Sequence, residues 1–166
     1  KKRVKNCFEA GALASGCEVE IQWALGDYLE IKDNWPIADR YKANAESLGR
    51  SFFPLEKVPT TGAGSTDMGN VSHRVPSIHP MIACAPPHVV IHNPEFAKYA
   101  GSETGDAAVL DGAKALAMTA IDVMTDDQLM TDARDQFAET ADLSAKAVAQ
   151  AWHGDGDLSL GGCGCC

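Results

Sequence analysis

Four of the chain's five histidines, His73, His79, His88 and His92, fall in one stretch, GAGSTDMGNVSHRVPSIHPMIACAPPHVVIHNPEF, from Gly62 to Phe96. Imidazole can move protons near neutral pH and is a common zinc ligand. Asp67 stands in the same stretch on a glycine-rich turn. Gly62 and Gly64 permit backbone conformations that a Cβ would forbid, so Ser65, Thr66 and Asp67 can be presented on a tight loop. Such a loop offers a ligand backbone N–H groups and a carboxylate together. The run Val89-Val90-Ile91 is short, β-branched and fenced by Pro86-Pro87 and Pro94, which predicts a buried strand. His92 would then end that strand, where open α/β sheets place their ligands. The segment reads as the wall of an active site.

Spacing narrows the metal chemistry. His88 and His92 are four residues apart, like a chelating pair on a helix, but the sequence between them predicts a strand. At roughly 3.3 Å per residue they lie about 13 Å apart, too far to share one ion. At most one is a ligand, and position favours His92. His73 and His79, which flank Arg74-Val75-Pro76, read as structural or exposed. Asp67 on its loop suits a turn that hydrogen-bonds its own backbone as well as it suits a site. His153-Gly154-Asp155 stands in glycine-rich sequence and reads as coincidence. Cys163, Cys165 and Cys166 form a soft cluster with too few ordered neighbours for a tetrahedral site. No Ser-His-Asp order, P-loop or GxGxxG is present.

The elements that must hold these residues follow from periodicity. Val4, Phe8, Ala12 and Leu13 recur at helical spacing over residues 1–14, and Gly16 supplies a stop. Cys17, Val19, Ile21 and Trp23 alternate with polar residues, which predicts a half-buried antiparallel strand. A helix is expected from about Trp35 to Leu48, capped near Asn34, with Pro36 in its first turn and Gly49 ending it. Another is expected from about Ala107 to Met124. Its apolar stripe of Val109, Leu110, Ala113, Leu116, Ala117, Ala120, Ile121 and Met124 is broad enough to pack on a sheet. A further helix follows the Thr125-Asp126 cap and carries Leu129, Met130, Ala133 and Phe137. From about Ala138 the sequence loses its period and turns rich in Ala, Asp and Gly, so a poorly ordered tail is expected over 139–166. The order of elements is that of α and β packed in layers.

The balance of charge excludes several partners. A net charge of -9 over 166 residues and a pI near 4.9 argue against nucleic acid and anionic membranes, which need a basic surface. Lys1, Lys2, Arg3 and Lys5 make the only basic cluster and read as a solvated helix face. No apolar run approaches the ~18 residues of a membrane span. Cys7, Cys17 and Cys84 are isolated among apolar residues, as buried free thiols of a reducing compartment are, so a cytoplasmic protein is expected.

Three motifs in order, CFEAGALASGCEVEIQW, GSTDMGNVSHRVPSIHP and VVIHNPEFAKYAGSETGDAAVLDGAKALAMTAIDVM, resemble the zinc aminoacylase/carboxypeptidase metallopeptidases (family M twenty). The closest resemblance is to members acting on β-alanyl-lysine-type dipeptides and to p-aminobenzoyl-glutamate hydrolases. It covers about Lys1 to Phe137 and stops before the tail.

The resemblance implies an α/β fold: part of a three-layer catalytic domain with a central sheet, preceded by the end of an α+β lid (dimerisation) domain. Residues 1–26 would be the lid remnant and 27–138 the C-terminal part of the catalytic domain. His92 in IHNPEF matches a late metal ligand, and Gly64, Ser65, Thr66 and Asp67 match the turn that lines the substrate cleft. The implied cofactor is zinc in the intact enzyme. The implied substrates are small dipeptides or N-acyl amino acids, and two copies would pair through the lid domain.

The family's remaining ligands, a His-x-Asp and a Glu-Glu pair that also provides the general base, have no match here, and no Glu-Glu dipeptide occurs in the chain. The expectation is an inactive fragment of an amidohydrolase. The alternatives are a non-catalytic pseudoenzyme, a dimerisation module, or a thiol metal-buffer built on the cysteine tail.

Overall fold

A computed structural model describes residues 1–23, 26–53 and 66–151. The chain divides into two compact units, one holding the described residues up to Asp27 and the other spanning Tyr28–Ala151.

In the first unit, α1 (Lys2–Ser15) ends where the sequence says it should. Gly16 takes φ 68°, and the backbone N–H groups that follow return to the Ala12 and Leu13 carbonyls. Glycine takes that left-handed conformation without the Cβ clash other residues pay. The predicted strand from Cys17 to Trp23 does not form, and that stretch is irregular. Alternation selects a strand only when a neighbouring strand accepts its hydrogen bonds, and Val19 and Trp23 are exposed instead.

The second unit is built on α2 (Trp35–Ser47) and the long α5 (Glu103–Thr125), which pack together, with α6 (Asp127–Ala138) against both and α4 (Pro94–Ala100) against α5. Asn34 caps α2 through its Oδ1 atom and Pro36 sits in the first turn, as expected. Asp126 caps α6 by accepting from the Leu129 N–H at 3.0 Å. The core is Tyr41, Ala45 and Ala115, with Leu48 and Ile78 packed on it. Alanine at these positions lets α2 and α5 approach closely. Polar ties finish the contact: Arg50 grips Asp111 through Nε at 2.9 Å and a terminal nitrogen at 2.8 Å, and Asn44 donates to Thr119 and Asp122.

The structure corrects the expected fold class. Among the described residues there is no strand and no sheet, so the three-layer α/β arrangement with a central sheet and an α+β lid is absent. The predicted buried strand Val89-Val90-Ile91 is irregular: it follows a turn at Pro87-His88 and runs into a bend at Ile91. Val89 alone is buried, its N–H bonded to the Pro86 carbonyl, while Val90 is 67% exposed. Asn93 bends the chain here, donating to the Val90 carbonyl and accepting from the Glu95 and Phe96 N–H groups. Pro94 therefore opens α4, a position where proline's missing N–H costs nothing. Where a disordered tail is expected from 139, α7 (Ala141–Ala151) forms; residues 152–166 lie outside the described part.

Cys7 and Cys17, expected buried, are exposed. No described helix is long and apolar enough to cross a membrane.

Candidate functional site

A short segment, 28–34, positions most of the polar chemistry. It runs along α3 (Asp67–Ser72), and side chains rather than a second strand satisfy its backbone. The Leu29 N–H donates to Asn70 Oδ1 at 3.2 Å and the Lys32 N–H to Ser72 Oγ at 2.9 Å. The Asn34 N–H donates to the Ser77 carbonyl at 3.0 Å. His73 Nε2 lies 3.2 Å from the Glu30 carbonyl. A carbonyl only accepts, so Nε2 carries the hydrogen, and the buried Nδ1 is left without a partner among the described residues. On the other side, Lys32 Nζ donates to the Phe137 carbonyl and to Ser144 Oγ and lies 4.2 Å from the Phe137 ring centroid. Asn34 Nδ2 reaches the Ala133 carbonyl at 2.8 Å.

Beyond Lys32 this strap brings Asp33 within electrostatic reach of His79. Thr66 is the N-cap residue and Asp67 the first helical residue. Thr66 Oγ1 lies 3.4 Å from His79 Nδ1. Partial burial pushes the Asp33 carboxyl above the usual carboxylate range, and the charge of His79 pulls it part of the way back. A hydroxyl and an imidazole thus meet at one edge of the unit, and the Asp33 carboxyl feels the charge of that ring. Together they can orient a polar ligand and share a proton with it.

Of the site residues expected from sequence, Thr66 and Asp67 stand at this edge, while Gly64 and Ser65 lie outside the described residues. His92 is exposed and is the single non-glycine residue with positive φ, 64°, among those described. It shares no hydrogen bond or ion pair with Asp33, Thr66, Asp67 or His79. His79, read from sequence as structural or exposed, is the imidazole that joins the turn. Its signal was weak, an exposed polar ring between Ile78 and Pro80.

The larger concavity is elsewhere. About 540 Å³ opens between the end of α2 and residues 81–91, walled mainly by Phe52, Phe53, Met81, Ile82, Val89 and Phe96. Its lining is mostly apolar, though Arg50 and Ser51 also border it, and neither His92 nor His79 reaches it. Zinc does not fit the described residues by themselves. A catalytic zinc takes three protein ligands, and no group of three His, Cys, Asp or Glu is placed to hold an ion among them.

No protein-family model matches the chain. Two curated proteins do: the Xaa-Arg dipeptidases of Homo sapiens and Mus musculus, each 38% identical over 136 residues, 82% of this chain and 31% of the relative. The chain thus spans about a third of the length of the curated relatives it matches. The similarity is therefore to a portion of these dipeptidases.

Proposed function

We propose that the chain is one portion of a metal-dependent dipeptidase that cleaves the amide bond of small dipeptides or N-acyl amino acids, and that it is inactive by itself. The identity of 38% across 82% of the chain to Xaa-Arg dipeptidases carries this reading. Their name makes dipeptides ending in arginine the first substrates to try, with β-alanyl-lysine and p-aminobenzoyl-glutamate as the alternatives.

In this reading the Gly64–Asp67 turn faces substrate. Thr66, beside His79, is the described hydroxyl able to meet its polar end. His92 contributes one zinc ligand, and the other ligands and the general base come from polypeptide outside this chain. Two copies of the intact enzyme would pair through residues 1–26.

The scarcity of ligands among the described residues also favours a second reading, a non-catalytic pseudoenzyme or dimerisation module. Zinc titration and an assay of the purified chain with an Xaa-Arg dipeptide decide the matter. The expected result is neither tight zinc binding nor turnover for the chain alone, and turnover sensitive to His92→Ala once the rest of the catalytic unit is supplied. One tightly bound equivalent of zinc with hydrolysis by the isolated chain would overturn the inactive-portion reading. Failure of the completed unit to hydrolyse any of these substrates would favour the pseudoenzyme.

A further inference from the structure

The residues of the Thr66–Asp67 turn are held in place from a distance. α3 has only six residues, too few to persist as a helix by itself. Thr66 is of a type that commonly caps a helix. Its hydroxyl makes no cap bond here and lies 3.4 Å from His79 Nδ1 instead. Support for the turn must therefore come from outside α3, and the strap supplies it. The Lys32 N–H donates to Ser72 Oγ at 2.9 Å, and that hydroxyl donates in turn to the Gly69 carbonyl at 2.7 Å. Ser72 is 1% exposed, so water does not compete for these bonds. Two residues further on, the Asn34 N–H donates to the Ser77 carbonyl at 3.0 Å, just ahead of His79. One short segment thus fastens both the helix that begins at Asp67 and the chain that carries His79.

The strap is itself anchored by a side chain. Lys32 Nζ donates to the Phe137 carbonyl at 3.0 Å and to Ser144 Oγ at 3.3 Å, and it lies against the Phe137 ring. Those partners belong to α6 and α7. Lys32 therefore has its backbone on α3 and its ammonium on the longer helices.

We propose that Lys32 is a positioning residue for the substrate turn: by tying α3 to α6 and α7 through Ser72, it keeps Thr66 beside His79, where the polar end of a dipeptide is received. The inference rests on the proposed function, in which that turn faces substrate, and adds the residue that sets its place. A turn that binds the polar end of a substrate, and not the reacting bond, helps the ground state and the transition state alike. Displacing it raises KM and spares kcat. A lysine that served stability alone would, when lost, lower the amount of active enzyme and leave KM unchanged.

The 166-residue chain gives the first readout. Lys32→Met keeps the length of the side chain and loses its donors. It should speed hydrogen exchange over 67–73 at least about tenfold and leave 103–125 unchanged. In the enzyme completed with the rest of its catalytic unit, the same variant should raise KM for an Xaa-Arg dipeptide about tenfold, with kcat within about twofold. Lys32→Arg keeps the charge and the donors and should bring KM back to within about threefold of the parent. Where circular dichroism shows Lys32→Met unfolded, Ser72→Ala cuts the same tie from the α3 side and should raise KM likewise. A fall in kcat at constant KM overturns the proposal, as does exchange that rises evenly along the chain or does not rise. Equal KM values for Lys32→Met and Lys32→Arg overturn it too. A completed parent enzyme that hydrolyses no dipeptide sinks the proposed function, and the substrate role of Lys32 with it. Turnover by the parent beside an unchanged KM in Lys32→Met sinks the role of Lys32 alone.

Discussion

Gly69 in α3 lies directly beneath the carbonyl of Leu29, so close that a Cβ at residue 69 would overlap the Leu29 oxygen. The backbone of the strap therefore rests on the backbone of a helix. That approach lets Asn70, Ser72 and His73 reach the strap's N–H and C=O groups.

Gly69→Ala should push the strap off α3. The cost of forcing a methyl into a filled contact is about 1–3 kcal/mol, and backbone oxygen yields less readily than a side chain. Urea denaturation should show that loss. Hydrogen exchange should place it at 28–33 and 67–73 rather than along α5. Uniform destabilisation would show that the strap is not held as a unit.

Asn34 joins three elements with one side chain. Its Oδ1 caps α2, its Nδ2 binds the Ala133 carbonyl in α6, and only 3% of the residue is exposed. Asn34→Ala should cost about 2 kcal/mol, combining loss of a cap with loss of the buried bond to the Ala133 carbonyl. Asn34→Ser restores a capping oxygen but cannot span to Ala133, so its stability should fall between the two in thermal denaturation. Equal losses for Ser and Ala would show that the cap contributes little.

The helices show how much of the fold the sequence disclosed. Signals carried by one residue and its own backbone were legible: Gly16 ending α1, Asn34 and Pro36 opening α2, Asp126 opening α6. Strand expectations failed at Cys17–Trp23 and Val89–Ile91, because a strand needs a partner that no local pattern reveals. The stripe on α5, expected to pack on a sheet, is exposed, and no sheet forms among the described residues. At the site, the turn and His92 were picked out as chemistry. The approach of His79 to Thr66, and of Asp33 to His79, depends on a strap whose course no spacing encodes.

Asp126 ties stability to acidity. The Leu129 N–H first, and then Arg40, hold its carboxyl below the usual carboxylate range; Arg40 meets it at 2.9 Å. A depressed value in the fold means the contribution is present above the unfolded value and fades as pH falls through the folded one. Asp126→Asn should therefore lower Tm at neutral pH, and its difference from the parent should close below about pH 4. A difference unchanged by acid would assign the effect to the cap's shape rather than its charge.

Asp33 runs the other way. Partial burial raises its carboxyl, with His79 opposing, so its ionised form is the less welcome one in the fold. A group raised in the folded state favours folding while protonated and loses that advantage as pH climbs through the folded value. Asp33→Asn should thus raise Tm at neutral pH, with the gain vanishing in acid. If Asp33 serves the polar edge with Thr66 and His79, the same variant should weaken substrate handling in the completed enzyme, and stability and activity would part in opposite directions. A variant that loses both would make Asp33 a structural residue.

His92 offers the sharpest separation of fold from function. Its φ of 64° places a β-carbon where an L-residue pays about 1–2 kcal/mol, a cost glycine escapes. His92→Gly should leave the chain as stable or up to about 1 kcal/mol more stable, because glycine's greater freedom when unfolded offsets part of the relief. His92→Ala keeps the strain and loses the ring, so it should be no more stable than the parent. Both should abolish turnover of an Xaa-Arg dipeptide in the completed enzyme, if the ring ligates zinc there. Chemical denaturation of the two variants beside one activity assay gives the answer. A His92→Gly protein that keeps its activity would remove the ring from the chemistry, and a residue in a strained conformation would then be without a function to explain it.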